Sequence, residues 1–171
     1  MSPIAYPSRL EPPRDTNEVD TLYAMLDYYR ATLVTKCAGL SDAQLRQRSV
    51  PTSELTLIGI LRHMCDVETY WFSHVFAGRA DPTPFDPENT GVDFYNVEDH
   101  SSDDVISIFE SCVATSTMVV RGISLDKTGT PSLKYGLVNL RYIVVHMIEE
   151  YARHCGHADL LREAIDGSTG D

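Results

Sequence analysis

The chain has 171 residues, of which 43% are hydrophobic, and this length and composition predict one globular domain with a proper core. Its formal net charge is −11 at pH 7. Because phosphate backbones and anionic lipids repel an acidic protein, we expect neither nucleic acid nor a membrane surface as a partner. No apolar run approaches the length of a membrane span, and the proline-rich start lacks the apolar core of a signal peptide. The four cysteines are far apart and form no CxxC motif, which favours reduced thiols in a cytoplasmic protein over a catalytic cysteine.

The distribution of prolines and helix signals predicts three segments. Four prolines disfavour a helix in residues 1–14, which we expect to form an extended arm. Residues 15–167 then form a single helical domain, and residues 168–171 a short tail.

The first helix is predicted from its end signals and its apolar spacing. Asp15 opens it, with Glu18 as a capping-box partner, and Gly39 ends it. Its apolar residues recur at alternating intervals of three and four, the spacing typical of a helix that packs in a bundle: Val19, Leu22, Leu26, Tyr29 and Leu33. A short helical turn capped by Ser41 is expected over residues 41–48.

The second helix is predicted from Leu57 to Ala77, with Gly78 as its stop. Its core stripe comprises Leu57, Ile60, Leu61, Met64, Val67 and Trp71. His63 lies on the flank of the stripe. Glu68 falls inside it, which suggests either an ion pair with an arginine of a neighbouring helix or a supporting role beside a metal.

The connection over residues 79–100 is too long for a tight helical hairpin. It could carry the chain back along the bundle, so that the second and third helices run parallel. Phe94 and Tyr95 within it either wall a pocket or pin the connection to the bundle, and pinning is the favoured interpretation.

The third helix is predicted from Asp103 to Arg121, capped by Ser102. Its apolar side comprises Val105, Ile108, Phe109, Cys112 and Val119. The segment from Leu133 to Val138 is expected to be extended.

The fourth helix, from Asn139 to Gly167, carries the unusual pattern. At about 100° per residue, one face holds the apolar residues Ile143, Met147, Leu161, Ala164 and Ile165. The same face also holds four ionisable residues, His146, Glu150, His154 and His157. Such groups in an apolar stripe are costly unless they are paired or bound to a metal.

These residues allow two interpretations: core histidines that hydrogen-bond to backbone carbonyls, or a metal or acid/base site. Glu150 and His154 lie one helical turn apart, and His63 of the second helix is the best placed third ligand. Two imidazoles and one carboxylate suit zinc with an open fourth position, the catalytic arrangement. Nickel, iron and manganese use similar ligands. His146, two turns before His154, is the weakest candidate of the four.

Three runs of the sequence carry a family resemblance. They are RHMCDVETYWFSHVFAG from Arg62 to Gly78, HMIEEYARHCGHADLLRE from His146 to Glu163, and DYYRATLVTKCAGLSDAQL from Asp27 to Leu45, and the ending IDGST adds to them. Together they resemble the DinB-like superfamily, and more closely its actinobacterial branch, which includes the mycothiol S-transferases. The resemblance implies an all-α four-helix bundle in up-down-down-up order, which agrees with the long connection between helices two and three. It also implies a divalent metal held by one residue of helix two and two of helix four.

One position departs from the superfamily pattern. In the wider superfamily the helix-four signature resembles HxxxHRGQ. Its first His aligns with Glu150 of this chain, its second His with His154, and its Gln with His157. The helix-two ligand aligns with His63. The resemblance therefore implies the ligands His63, Glu150 and His154, with His157 as a proton shuttle or an alternate ligand.

Three functions are compatible with these residues and this resemblance. The first is a thiol S-transferase that conjugates a low-molecular-weight thiol, mycothiol by resemblance, to an electrophile in a detoxification reaction, with zinc as cofactor and His157 carrying the thiol proton. The second is a metal-dependent hydrolase or thiol-dependent isomerase. The third is a non-catalytic metal-binding bundle. In each case we expect a monomer or a homodimer.

Overall fold

The computed structural model describes residues 4–88, 90–95 and 97–170. Its five α-helices are α1 (Glu18–Cys37), α2 (Asp42–Leu45), α3 (Leu57–Glu68), α4 (Ser102–Val120) and α5 (Leu140–Asp166). Between the described residues, β-type pairing is limited to two isolated bridges. The predicted all-α class is confirmed. No helix in the described part of the chain is long and apolar enough to cross a membrane.

The long helices pack into a bundle. α1 lies along α5, α3 lies along α4, and α3 also contacts α5 and α1. The inner faces bury one continuous apolar cluster, whose largest fully buried members include Tyr151, Phe72, Leu26, Leu33 and Met64. α3 contacts both α4 and α5. Side chains on one face of α3 can therefore meet side chains of α5. The up-down-down-up order of the helices stays a prediction.

Helix ends follow the capping chemistry of the sequence, with two corrections. Ser41, Asn139 and Gly167 cap as predicted, and Gly167 has a φ of 80°. Asn17, not Asp15, caps α1, because its side chain accepts a hydrogen bond from the backbone N–H of Asp20 at 3.0 Å.

Ser101, not Ser102, caps α4. Ser101 forms a capping box with Asp104, whereas the Ser102 hydroxyl donates to Asp42 of α2. The true cap is therefore one residue earlier because the other serine side chain is engaged by a neighbouring helix.

The second predicted helix is not α-helical along its whole length. After Glu68 the chain continues as a π-helix over Thr69–Phe76, and the backbone N–H of Ala77 donates to the carbonyl of Phe72, five residues earlier, at 3.2 Å. The wider turn buries Phe72, Val75 and Phe76 together with Trp71. A period count cannot distinguish this segment from an α-helix.

Three further expectations were wrong. Val19 and Ala164 are exposed because they lie in the first turn of α1 and the last turn of α5, at the ends of the bundle. The segment from Leu133 to Val138 is not extended. It contains a turn, since the backbone groups of Ser132 and Gly136 exchange hydrogen bonds of 3.0 and 2.9 Å.

A buried ion pair joins three helices at the centre of the bundle. Glu68 of α3 is fully buried and accepts two hydrogen bonds of 2.8 Å from the guanidinium of Arg30 on α1. The hydroxyl of Tyr151 on α5 donates to the same carboxylate at 2.8 Å. Burial and the charge of Glu68 hold the pKa of Tyr151 well above its ordinary value, so the phenol stays a donor. Glu68 therefore forms an ion pair with an arginine of a neighbouring helix.

The Arg30→Met variant tests this network. It leaves the Glu68 carboxylate buried without its partner, so we expect the free energy of unfolding to fall by about 3–5 kcal/mol in urea denaturation. Asp27→Asn is the matched control, because Asp27 also pairs with Arg30 but its side chain is 68% exposed. Its expected cost is below about 1 kcal/mol. Equal costs for the two variants would contradict a structural role for the buried pair.

Candidate metal centre

α3 and α5 bring His63, Glu150 and His154 together. One ligand atom of each residue lies within 4.8 Å of those of the other two. His154 Nε2 is 3.5 Å from Glu150 Oε2, and the ring centroids of His63 and His154 are 4.8 Å apart. These are the three residues that the sequence placed in one site.

The connection between α3 and α4 supplies a fourth group that sequence reasoning missed. Asp93, nearly fully buried, lies with Oδ2 2.6 Å from His63 Nδ1. If the His63 Nδ1–H donates to this carboxylate, the neutral ring has its lone pair on Nε2. A carboxylate that fixes the tautomer in this way is typical of metal-binding histidines. No spacing in the sequence links an aspartate in a proline-containing loop to a histidine on the preceding helix.

Gly59 allows the loop to approach α3 closely. A Cβ at this position would lie 2.5 Å from the carbonyl oxygen of Phe94, so only glycine leaves room for the 3₁₀ turn Val92–Phe94. The turn places the Phe94 ring on His63, with centroids 4.1 Å apart, and 5.7 Å from the His154 ring. Phe94 thus pins the connection to the bundle and also walls the site, whereas Tyr95 is about half exposed.

His157 contacts His154 on the side away from Glu150. The two Nδ1 atoms are 3.4 Å apart, so one ring donates and the other accepts. When His154 keeps its lone pair on Nε2, its Nδ1–H donates to His157. Burial, followed by the nearby His154 and Arg153, lowers the pKa of His157, which favours the neutral ring that can accept. His157 does not belong to the group of three possible ligands among the described residues.

Glu150 is ionised at neutral pH. When His154 carries a proton on Nε2, its hydrogen bond to Glu150 lowers the pKa of this carboxyl below the ordinary value, with His146 and Arg153 adding to the effect and burial opposing it. A metal ion bound between the two side chains would take the place of that proton. The second oxygen of Glu150 lies 3.6 Å from His146 Nε2.

His146, Glu149 and Glu150 form a second possible ligand group. All three lie on one helix, and the side chain of Glu149 is 51% exposed. The His63 group instead joins two helices, is more buried and has a carboxylate behind one imidazole. It is therefore the better candidate.

A cavity of about 230 Å³ adjoins His63. Its walls include the carboxylates Asp66, Asp86 and Asp93 and the aromatic side chains Tyr70 and Trp71. Burial raises the pKa of Asp66 to about 6, with the negative Asp93 and Asp86 adding to the rise. The surroundings are acidic overall, which favours a cation at the site.

The donor set fits a divalent metal. Tetrahedral zinc with bonds of about 2.0–2.2 Å holds its donor atoms roughly 3.3–3.6 Å apart. The Glu150–His154 separation of 3.5 Å lies in this range, and the ligand atom of His63 lies within 4.8 Å of both. Three protein donors leave a fourth position for a small molecule. Zinc, nickel and iron accept this mixture of nitrogen and oxygen ligands.

The fold and this geometry define a helical-bundle protein with a candidate His-Glu-His metal centre between two helices. The family model for Mycothiol-S-transferase matches residues 21–167. The chain therefore belongs to the mycothiol S-transferase family, which confirms the resemblance seen in the sequence. No curated protein matches the chain at a significant level.

The contact between Asp93 and His63 yields a testable prediction. Asp93→Asn exchanges the carboxylate for an amide of the same shape, and we expect the affinity for added zinc to fall about 10- to 100-fold. A competition titration with a chromogenic chelator measures it. Asp81→Asn, on the exposed part of the same connection, is the control and keeps the wild-type affinity. Unchanged affinity in Asp93→Asn would remove Asp93 from the site.

The close approach of the loop to Gly59 yields a further prediction. Gly59→Ala pushes the 3₁₀ turn away from α3, and we expect zinc affinity to fall because Asp93 loses His63. Gly156→Ala is the matched control, since Gly156 lies on the ligand-bearing α5 with nothing within 4 Å of an added Cβ. This variant keeps zinc affinity and gains about 0.5–1 kcal/mol of stability. If both variants bind zinc like the wild type, the close approach at Gly59 does not position the site.

Proposed function

We propose that the protein is a metal-dependent thiol S-transferase that joins mycothiol to a small electrophile. One observation carries the proposal: two imidazoles and a carboxylate converge beside a cavity, in a chain of the mycothiol S-transferase family. The family supports the thiol, and the donor set supports the metal.

In this proposal His63, Glu150 and His154 hold the ion, with zinc as the favoured metal. A bound divalent ion would supply the positive charge that lowers the pKa of a thiol, so that thiolate is available near neutral pH. The two imidazoles are neutral donors and Glu150 contributes one negative charge. The ligand set therefore neutralises only part of the charge of a divalent ion.

The supporting residues orient the ligands. Asp93 holds the His63 ring with Nε2 towards the site. When His154 carries its proton on Nδ1, the contact with His157 holds the His154 ring with Nε2 towards the site as well. This favours His157 as a positioning residue over an alternate ligand. The role of His157 as a proton carrier stays a prediction.

The reaction itself forms one bond to sulfur. The thiol loses its proton, and its sulfur attacks the electrophilic atom; in a displacement the leaving group departs with the bonding electron pair. The cavity beside His63 offers a place for the electrophile. Tyr70 and Trp71 line this cavity, and Phe94 stacks on the His63 ring. The wide spacing of the four cysteines in the sequence, with no CxxC motif, supports a reducing compartment such as the cytoplasm.

The His154→Ala variant tests the proposed function. We expect about one zinc per wild-type chain by elemental analysis, loss of this metal in the variant, and loss of conjugation of mycothiol to a model electrophile. His100→Ala, a histidine that packs on Phe85 outside both ligand groups, keeps metal and activity. Full thiol transfer in His154→Ala would refute the proposal. If the enzyme converts the electrophile equally well without added thiol, it is a hydrolase instead.

Glu150 offers a separate test of the ligand set. Glu150→Gln removes the negative charge and replaces a carboxylate oxygen with an amide oxygen, which is a weaker ligand for zinc. We therefore expect weaker zinc binding. Glu150→His provides a nitrogen donor at the same helical position and retains the metal, as the all-histidine pattern of the wider superfamily implies. A Glu150→Gln variant that binds zinc as tightly as the wild type would exclude Glu150 as a ligand.

A further inference from the structure

The four thiols differ in their surroundings. Each of the helices α1, α3, α4 and α5 carries one: Cys37, Cys65, Cys112 and Cys155. Only Cys112 is not buried in the core. It borders a cavity of about 300 Å³ between the π-helical segment and α4, whose other lining side chains include Thr69, Ser73, Ser111 and Thr115. A small polar molecule can therefore approach its sulfur through a cavity lined with hydroxyl groups.

Cys65 lies on the other side of the same helix contact. Thr69 Oγ1 is 3.6 Å from Cys112 Sγ and 3.0 Å from the backbone carbonyl of Cys65, one turn earlier on α3. The Cys65 sulfur is itself 3.2 Å from the carbonyl of Leu61. Since α3 packs along α4 here, the two thiols face each other across the interface.

The surroundings of Cys112 lower its pKa. The neighbouring thiol of Cys65 and the hydroxyl of Thr69 favour the charged form of Cys112, although burial opposes them. Burial raises the pKa of Cys37 and Cys155 to about 12. A thiol that borders a cavity and has a lowered pKa, beside a second and buried thiol, is the arrangement of a reactive cysteine and its resolving partner.

We propose that Cys112 is a peroxide-reactive thiol and that Cys65 resolves its oxidised form into a disulfide between α3 and α4. The site is distinct from the candidate metal centre, and the proposal does not depend on the transferase function. The oxidant is a hydroperoxide small enough for the cavity.

The chemistry needs no other reactant. The Cys112 thiolate attacks one peroxide oxygen, so that an S–O bond forms, the O–O bond breaks, and hydroxide or alkoxide leaves and takes up a proton. The product is a sulfenic acid. Cys65 loses its proton and attacks the Cys112 sulfur, so that an S–S bond forms and the S–O bond breaks, releasing water. The two thiols are oxidised by two electrons and the peroxide is reduced.

The experiment treats the full-length protein with hydrogen peroxide. Free thiols are counted after denaturation, and peptides are mapped by mass spectrometry without reduction. We expect two of the four thiols to disappear and one cross-linked peptide pair, Cys65 with Cys112, to form, while Cys37 and Cys155 stay free. Cys112→Ser abolishes the loss of both thiols. Cys65→Ala allows dimedone to trap a sulfenic acid on Cys112 and forms no cross-link.

Several results would overturn the proposal. The first is that Cys112 oxidises no faster than Cys155, which is buried and serves as the control thiol. Another is a sulfenic acid that accumulates on wild-type Cys112 without a cross-link, which would exclude Cys65 as its partner. Because the wild-type peptide map decides both points, the conclusion does not depend on correct folding of Cys65→Ala.

Discussion

The buried carboxylate of Glu68 is the constraint on which the rest of the structure depends. A charge in the core is tolerated only when its partners are fixed, and here Arg30 of α1 and Tyr151 of α5 both bond to it. Glu68 lies five residues after His63 on α3, and Tyr151 directly follows Glu150 on α5. The network therefore fixes the two helices that carry the candidate ligands relative to each other. A shift of either helix would break hydrogen bonds that have no replacement in the core.

The site is completed by a segment that belongs to neither helix. The connection before α4 lies against α3 because Gly59 has no side chain, and it brings Asp93 and Phe94 onto His63. One histidine is thus oriented by a carboxylate and walled by an aromatic ring, while His154 is oriented by its own neighbour His157. This division of roles explains how a site with three candidate ligands can hold both imidazoles in the tautomer that leaves Nε2 available.

Much of this arrangement could be predicted from the sequence, and the part that could not has physical reasons. The four long helices, the caps Ser41 and Asn139, and the convergence of His63, Glu150 and His154 follow from periodicity and from polar residues in apolar stripes. The π-helical turn after Glu68 has no signal in a count of hydrophobic periodicity. Ser101 and Ser102 are equally good helix caps in the sequence and differ only in their tertiary contacts. Asp93 was missed for the same reason, since its role arises from a close approach between a loop and Gly59. The reactive environment of Cys112 likewise depends on the packing of α3 against α4.

X-ray absorption at the zinc edge, before and after addition of mycothiol, tests the central claim most directly. We predict that zinc in the loaded wild-type protein has only nitrogen and oxygen neighbours, including two imidazoles, and that it gains one sulfur neighbour at about 2.3 Å when the thiol is added. Failure of the protein to take up zinc would contradict the metal centre. A zinc site whose spectrum the thiol leaves unchanged would contradict the transferase chemistry and leave a metal-binding bundle.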